Sequence, residues 1–255
     1  MATYKKRGYK PGNKKEENQS DESAYETAGV LNTLDETASK SEQWIEKNSK
    51  PLLITLISLV VVFLGYLGYN KFIDEPKELE AADELAFPRK YFDDAAVAGS
   101  GVDSLLNLGL EGADGKYGFV DIAESYSGTN AGNLANYYAG VSYLQLKQYD
   151  KAIEFLSKFE SDDEMLGPIS LGAIGDAFSD INQPKDALEY YERAANKKDN
   201  EFTTPLYLFK AGETAMNLKE FKKAESFFTQ IKENYSKSDQ GRDIEKYINA
   251  AQYAE

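Results

Sequence analysis

Cysteine and histidine are both absent from the 255 residues. Without them there are no disulfides, no thiolate nucleophile, no zinc site built on Cys or His, and no imidazole for acid–base catalysis. Most familiar enzyme chemistry is thereby removed, with only carboxylate, Ser, Lys or Tyr chemistry left open; the chain is read as a non-enzyme, and neither a cofactor nor a bound metal is expected. Positive charge is also scarce. Lys and Arg number 29 against 43 Asp and Glu, for a net charge of −14, the wrong balance for neutralising phosphates, so nucleic acid is not an expected partner. The nearest thing to a dinucleotide fingerprint, Gly99-Ser100-Gly101, has Ser104 where the third glycine belongs and no strand pattern before it. Acidic runs at Asp74-Glu75, Asp93-Asp94 and Asp162-Asp163-Glu164 lack the twelve-residue spacing of a calcium loop and read as solvated turns.

One long hydrophobic run is present. Lys50 and Lys71 bracket twenty uncharged residues, PLLITLISLVVVFLGYLGYN. As a helix at about 1.5 Å per residue they cover roughly 30 Å, the depth of a bilayer's hydrocarbon core. A buried core helix would carry a polar stripe, whereas Thr55 and Ser58 are the only small polar side chains before Asn70, and both can bond back to their own helix. A signal peptide would not carry a fifty-residue leader, and no small-x-small cleavage site follows Tyr69. Residues 51–70 are therefore expected to be a retained transmembrane helix in a lipid bilayer, with Trp44, Tyr66 and Tyr69 as interfacial aromatics. Residues 1–50 hold nine basic groups and the fifteen residues after the span only Lys71 and Lys77, which places the N-terminus in the cytoplasm. That tail has a disordered composition to about residue 23. A thin apolar stripe of Ala24, Leu31, Ala38 and Ile45 follows, compatible with an amphipathic helix. The 20 basic and 34 acidic residues beyond the span carry the whole net charge.

Self-similarity organises the rest. NYYAGVSYLQLKQYDKAIEFL from Asn136, LGAIGDAFSDINQPKDALEYY from Leu171 and LFKAGETAMNLKEFKKAESFF from Leu208 superpose. Gly140, Gly175 and Gly212 are each followed twelve residues later by Ala152, Ala187 or Ala224, and four residues after that by Leu156, Tyr191 or Phe228. The small residues are expected where paired helices approach, and the large ones between stacked pairs. Turns are expected at Lys147-Gln148, Asn182-Gln183-Pro184 and Lys219-Glu220, with Pro168 and Pro205 at the start of leading helices. With repeat intervals of 35 and 37 residues, this pattern resembles the tetratricopeptide repeat. The resemblance implies an all-α helical solenoid, here preceded by a single transmembrane helix. Departures are Asn136, Leu171 or Leu208 in place of the leading tryptophan, and Ala215 where an aromatic is usual.

The expected organisation is a cytoplasmic tail over 1–50, the span over 51–70, a leading region over 71–132, three repeats over 133–238 and a capping helix over 239–255. In the leading region, 76–98 reads as a helix with Leu79, Ala82, Leu85, Ala86 and Tyr91 on its buried side, kinked or divided by Pro88. A Gly-rich stretch with at most one short helix near Leu105 follows. Then comes the second helix of a degenerate repeat near 116–127, because Ile122–Thr129 parallels Ile231–Ser238.

A helical-repeat stack presents a concave face lined by the first helix of each pair. Residues one turn from the packing glycines are candidates for it: Tyr137 and Val141, Asp176 and Asp180, then Phe209, Glu213 and Met216. Aromatics mixed with acids suit an extended peptide with apolar and basic side chains. The anchor, the helix after it and the short stack together resemble the YfgM-like ancillary subunit of the bacterial SecYEG translocon. That resemblance implies a single-pass inner-membrane protein with a periplasmic C-terminal domain, no catalytic residues, and translocon subunits, periplasmic chaperones or exported polypeptides as partners. The alternative is a scaffold for an outer-membrane or cell-wall assembly complex.

Overall fold

The computed structural model describes Glu42 and residues 44–254. The expectations for residues 1–41, the tail helix among them, lie outside the described residues. The chain divides into two compact units, Met1–Gly68 and Tyr69–Glu255.

In the first unit the apolar run forms helix α1, Ser49–Tyr69, none of whose residues is buried. Thr55 and Ser58 donate to the carbonyls of Pro51 and Ile54 at 2.9 and 2.8 Å, so the two hydroxyls are satisfied within their own helix. The helix is long and apolar enough to cross a membrane.

The second unit opens with a π-helical turn, Asn70–Asp74, and helix α2, Glu75–Val97. Pro88 is buried inside α2 and does not divide it. The buried stripe is Ala81, Leu85, Pro88 and Ala95, with Phe92 half-buried. Leu79, Ala82 and Ala86 are exposed, so the true stripe is rotated from the expected one. Pro88 belongs to the buried side, and its carbonyl lies against Gly109, where a Cβ would sit 3.3 Å away. Helices α3, Val102–Glu111, and α4, Phe119–Ser125, pack beside it around the enclosed Phe119 and Ile122.

Three helix pairs follow: α5 (Asn130–Gln145) with α6 (Tyr149–Lys158), α7 (Leu166–Asp180) with α8 (Pro184–Lys197), and α9 (Thr203–Asn217) with α10 (Phe221–Asn234). Helix α11, Ile244–Tyr253, closes the array. Within each pair one packing event recurs. A Cβ on Gly140 would lie 2.5 Å from Leu156 Cγ, one on Gly175 2.7 Å from the Tyr191 ring, and one on Gly212 inside the Phe228 ring. Each glycine thus seats the large residue of its own partner helix, a closer role than separating stacked pairs.

The turns inside the pairs are also one structure used three times. Lys147, Asn182 and Lys219 take left-handed φ of 59°, 59° and 62°. The next N–H, on Gln148, Gln183 or Glu220, donates to the carbonyl of Tyr143, Phe178 or Ala215 at 2.9, 2.9 and 2.8 Å. These are Schellman caps, which satisfy the last carbonyls of the leading helix. N-terminal caps are as local. Asp163 Oδ1 accepts from Met165 and Leu166 N–H at 2.8 Å each, and Asn200 Oδ1 accepts from Phe202 and Thr203 N–H at 2.9 and 2.7 Å. The parallel between Ile122–Thr129 and Ile231–Ser238 is real at atomic level. Thr129 Oγ1 donates to Tyr126 O and accepts from Gly132 N–H, while Ser238 Oγ does the same with Tyr235 O and Gly241 N–H.

Candidate protein-binding faces

The leading helices α5, α7 and α9 carry the seven candidate residues, and the structure gives them unequal surroundings. Val141, Asp176 and Glu213 occupy one register, the residue after each packing glycine. Tyr137 and Val141 are half-buried against the small core of Leu156, Ala173 and Ile174, with the Tyr137 ring 5.2 Å from that of Phe159. Phe209 and Met216 pack onto the core of the last two pairs. The Phe209 ring meets Tyr247 of α11 edge-on at 4.7 Å, so the capping helix covers it.

The carboxylates differ more. Asp176 accepts from the Tyr191 hydroxyl at 2.7 Å and pairs with Lys210 Nζ of the next leading helix at 2.6 Å. Burial first, and then the Asp176 charge, push the Tyr191 phenol far above its ordinary value. Asp180 is exposed and lies near Tyr149 at the start of α6, whose phenol is raised by desolvation and then by that carboxylate. Glu213 is exposed, yet desolvation raises its carboxyl against the pull of Lys210. Asp176, Lys210 and Glu213 thus stand together on two adjacent leading helices, while Asp180 faces the preceding pair. Lys210 was not among the candidates. Its signal is its place three residues before Glu213, one helical turn away.

A second face was missed altogether. Between the first and second pairs lies a cleft of about 1200 Å³, reaching from Asn133 and Asn136 on α5, past Phe159 and Ile174, to Arg193 and Lys197 on α8. Its causes are legible in register. Helix α6 has 10 residues where α8 and α10 have 14. Ser170 sits at the position filled by Tyr207 in the third pair, and Asn136 at the position of Leu171 and Leu208. Both polar side chains are buried and turn to their own helix: Ser170 Oγ donates to Gly167 O at 2.9 Å and Asn136 Nδ2 to Gly132 O at 3.2 Å. Short polar groups that satisfy themselves locally leave the space between helices unfilled. Among the described residues no group of His, Cys, Asp or Glu is arranged to hold a metal ion.

No curated protein matches the sequence. A crystal structure from Podospora anserina, of a variant protein assigned as a kinesin light chain with nearly identical TPR-like repeats, is similar at 13% identity and a TM-score of 0.48, covering 69% of this chain and 87% of the other. The tetratricopeptide repeat family model matches residues 134–162 and 207–238, and the helix pairs that contain those residues belong to an all-helical tetratricopeptide-type solenoid.

Proposed function

We propose that the chain is a membrane-anchored, protein-binding adaptor of the bacterial inner membrane. In this reading α1 spans the bilayer, the N-terminus is cytoplasmic and the repeats are periplasmic. They serve as an ancillary translocon or chaperone-type subunit that receives exported polypeptides. Tetratricopeptide repeats are protein-interaction modules, which supports the adaptor role directly. The observation that carries the finer reading is the presence in one chain of a bilayer-length apolar helix and a repeat face bearing exposed carboxylates at Asp180 and Glu213. Exposed carboxylates on the same series of leading helices as the half-buried Val141 and Tyr137 favour segments with basic and apolar side chains.

The test is photo-cross-linking in intact cells from a reactive residue placed at Glu213 or at Asp180. Adducts with translocon subunits, periplasmic chaperones or chains in export are the expected outcome. Adducts confined to outer-membrane or cell-wall assembly proteins would replace this reading with the scaffold alternative, and an absence of protein adducts from both positions would remove the groove from the account.

A further inference from the structure

We propose that the face of the leading helices takes protein segments carrying an apolar side chain and, about three to five residues away, a basic one, with the apolar side chain seated on a rim built around Phe202 and Met165. This rests on the reading of that face as protein-binding and adds the chemistry and spacing of the segment it holds.

The rim begins with two exposed side chains. Within residues 133–238, Phe202 and Met165 are large apolar residues open to solvent over 73% and 39% of their surface. They hold the same place in successive repeats, directly before α9 and α7, and their backbones are already right-handed helical, at φ −109°, ψ −60° and φ −108°, ψ −52°. The helical period therefore runs through them, and positions four and eleven residues on share their side. After Met165 these are Ile169 and Asp176, and after Phe202 they are Leu206 and Glu213; α5 places Leu134 and Val141 there. Leu134, Ile169 and Leu206 are all half-buried, so every leading helix offers an aliphatic side chain in its first turns on this side, and two of the three add a large exposed one ahead of it. Single apolar residues scattered over a surface need no explanation, but a patch repeated at one register marks a place where something docks.

Charge selects the other half of the segment. The leading helices carry three carboxylates, Asp176, Asp180 and Glu213, and one cation, Lys210. Lys210 is paired with Asp176 at 2.6 Å, which leaves the exposed Asp180 and Glu213 without a cation from these helices. The loops that lead into the rim, 159–165 and 198–202, add six carboxylates and one lysine. Acidic segments are therefore repelled and basic ones attracted. Spacing follows from helix geometry. Glu213 lies seven residues from Leu206 and eleven from Phe202, or about 10 to 16 Å along the helix. An extended chain covers that in about three to five residues.

The experiment uses the full chain in nanodiscs of zwitterionic lipid, with empty nanodiscs as background, and a fluorescein-labelled nonapeptide read by anisotropy. The peptide is serine throughout except for leucine at its second and third positions and arginine at its sixth and seventh. One companion peptide has glutamate for arginine, and another has serine for leucine. The parent peptide should bind at least tenfold more tightly than the glutamate peptide and at least fivefold more tightly than the leucine-free one. Phe202→Ser combined with Met165→Ser should weaken the parent peptide fivefold or more and leave the leucine-free peptide within twofold. Asp180→Asn combined with Glu213→Gln should weaken both arginine peptides fivefold or more. If the paired rim substitution disturbs the circular dichroism spectrum, Phe202→Ser alone is read, with a threefold or greater loss expected. Unchanged affinity in the rim variants together with a loss in the carboxylate variant would overturn the rim and leave the acidic face standing. Unchanged affinity in both sets of variants, equal binding of the glutamate peptide, or no binding beyond that of empty nanodiscs would overturn the proposal and the protein-binding face with it.

Discussion

The junction between the second and third helix pairs and the one between the first and second are built from the same repeat, yet one is filled and the other open. At the filled junction the Tyr207 ring sits on Gly172, where any Cβ would fall inside it. It also stacks on Tyr191 at 6.5 Å and 15°. Lys210 reaches back to Asp176 and lies over both tyrosine rings, 5.6 and 6.0 Å from their centroids. At the open junction the corresponding pair is Ser170 and Tyr137, with the large residue on the earlier helix and the small one on the later. The Tyr137 ring turns to Phe159 instead. Beside the small apolar core of Leu156, Ala173 and Ile174, the contacts here are polar: the Asn133 side chain exchanges hydrogen bonds with the Glu160 backbone at 2.6 and 3.0 Å, and Lys197 approaches Asp162. Repeat register fixes which helices meet. The volumes at a few positions decide whether the meeting is tight.

The sharpest way to break the contrast is to empty the filled junction. Tyr207→Ala removes a buried ring from between two pairs and should cost about 3–5 kcal/mol, measured by urea unfolding of the full chain. A loss below about 1 kcal/mol would mean that the ring is not what joins the last two pairs. Next comes a comparison of two glycines in the same repeat position. Gly212→Ala drives a methyl into the fully enclosed Phe228 and should cost about 1–3 kcal/mol. Gly140→Ala meets both Leu156 Cγ, 2.5 Å away, and the Leu156 backbone N, 3.0 Å away, on a side chain as fully enclosed as Phe228, so its cost should be no smaller. A clearly smaller cost would show that the first pair can open where the third cannot.

Smaller effects come from the turns, which the two junctions share. Lys147→Gly and Lys219→Gly relieve a left-handed φ on residues with a Cβ and should each stabilise the chain by up to about 1 kcal/mol. Asn182→Gly should gain less, because asparagine tolerates that conformation. A thermal melt that ranks Asn182→Gly first would contradict the cap assignment. The smallest effect is a pH dependence at the edge of the cleft. The backbone N–H groups of Leu166 and Met165 hold the Asp163 carboxyl below its ordinary value. A depressed carboxylate contributes stability that is present above its unfolded pKa and is lost as pH falls through the folded one. Asp163→Asn should therefore lower stability slightly at pH 7 and flatten the acid limb below about pH 4.

Much of the repeat architecture was legible because it is repetitive. The glycines, the alanines twelve residues on and the large residues four later are three copies of one steric requirement, and the turns at Lys147, Asn182 and Lys219 fall where polar residues interrupt the apolar pattern. The stripe of α2 was misread because that helix is apolar on more than one side; Leu79, Ala82 and Ala86 form a plausible face that nothing in the described structure covers. The concave candidates were read from spacing alone, which cannot know that Tyr247 of α11 covers Phe209 or that Lys210 neutralises Asp176. Both partners come from another helix. The cleft left only an oblique trace, Asn136 standing in the register of Leu171 and Leu208.

The sequence by itself determined the local events: an uncharged run long enough for a bilayer, helices with their caps, and the pairing of each glycine with its own large residue sixteen positions on. These depend on neighbours within a few turns of chain, and a pattern of short period records them. Only the tertiary structure decided how successive pairs meet. Contact between successive leading helices joins residues 34 or more apart, as Asp176 joins Lys210 and Gly172 meets Tyr207. Whether such a junction closes or opens into a cleft depends on the sum of volumes across it, a quantity no single repeat contains.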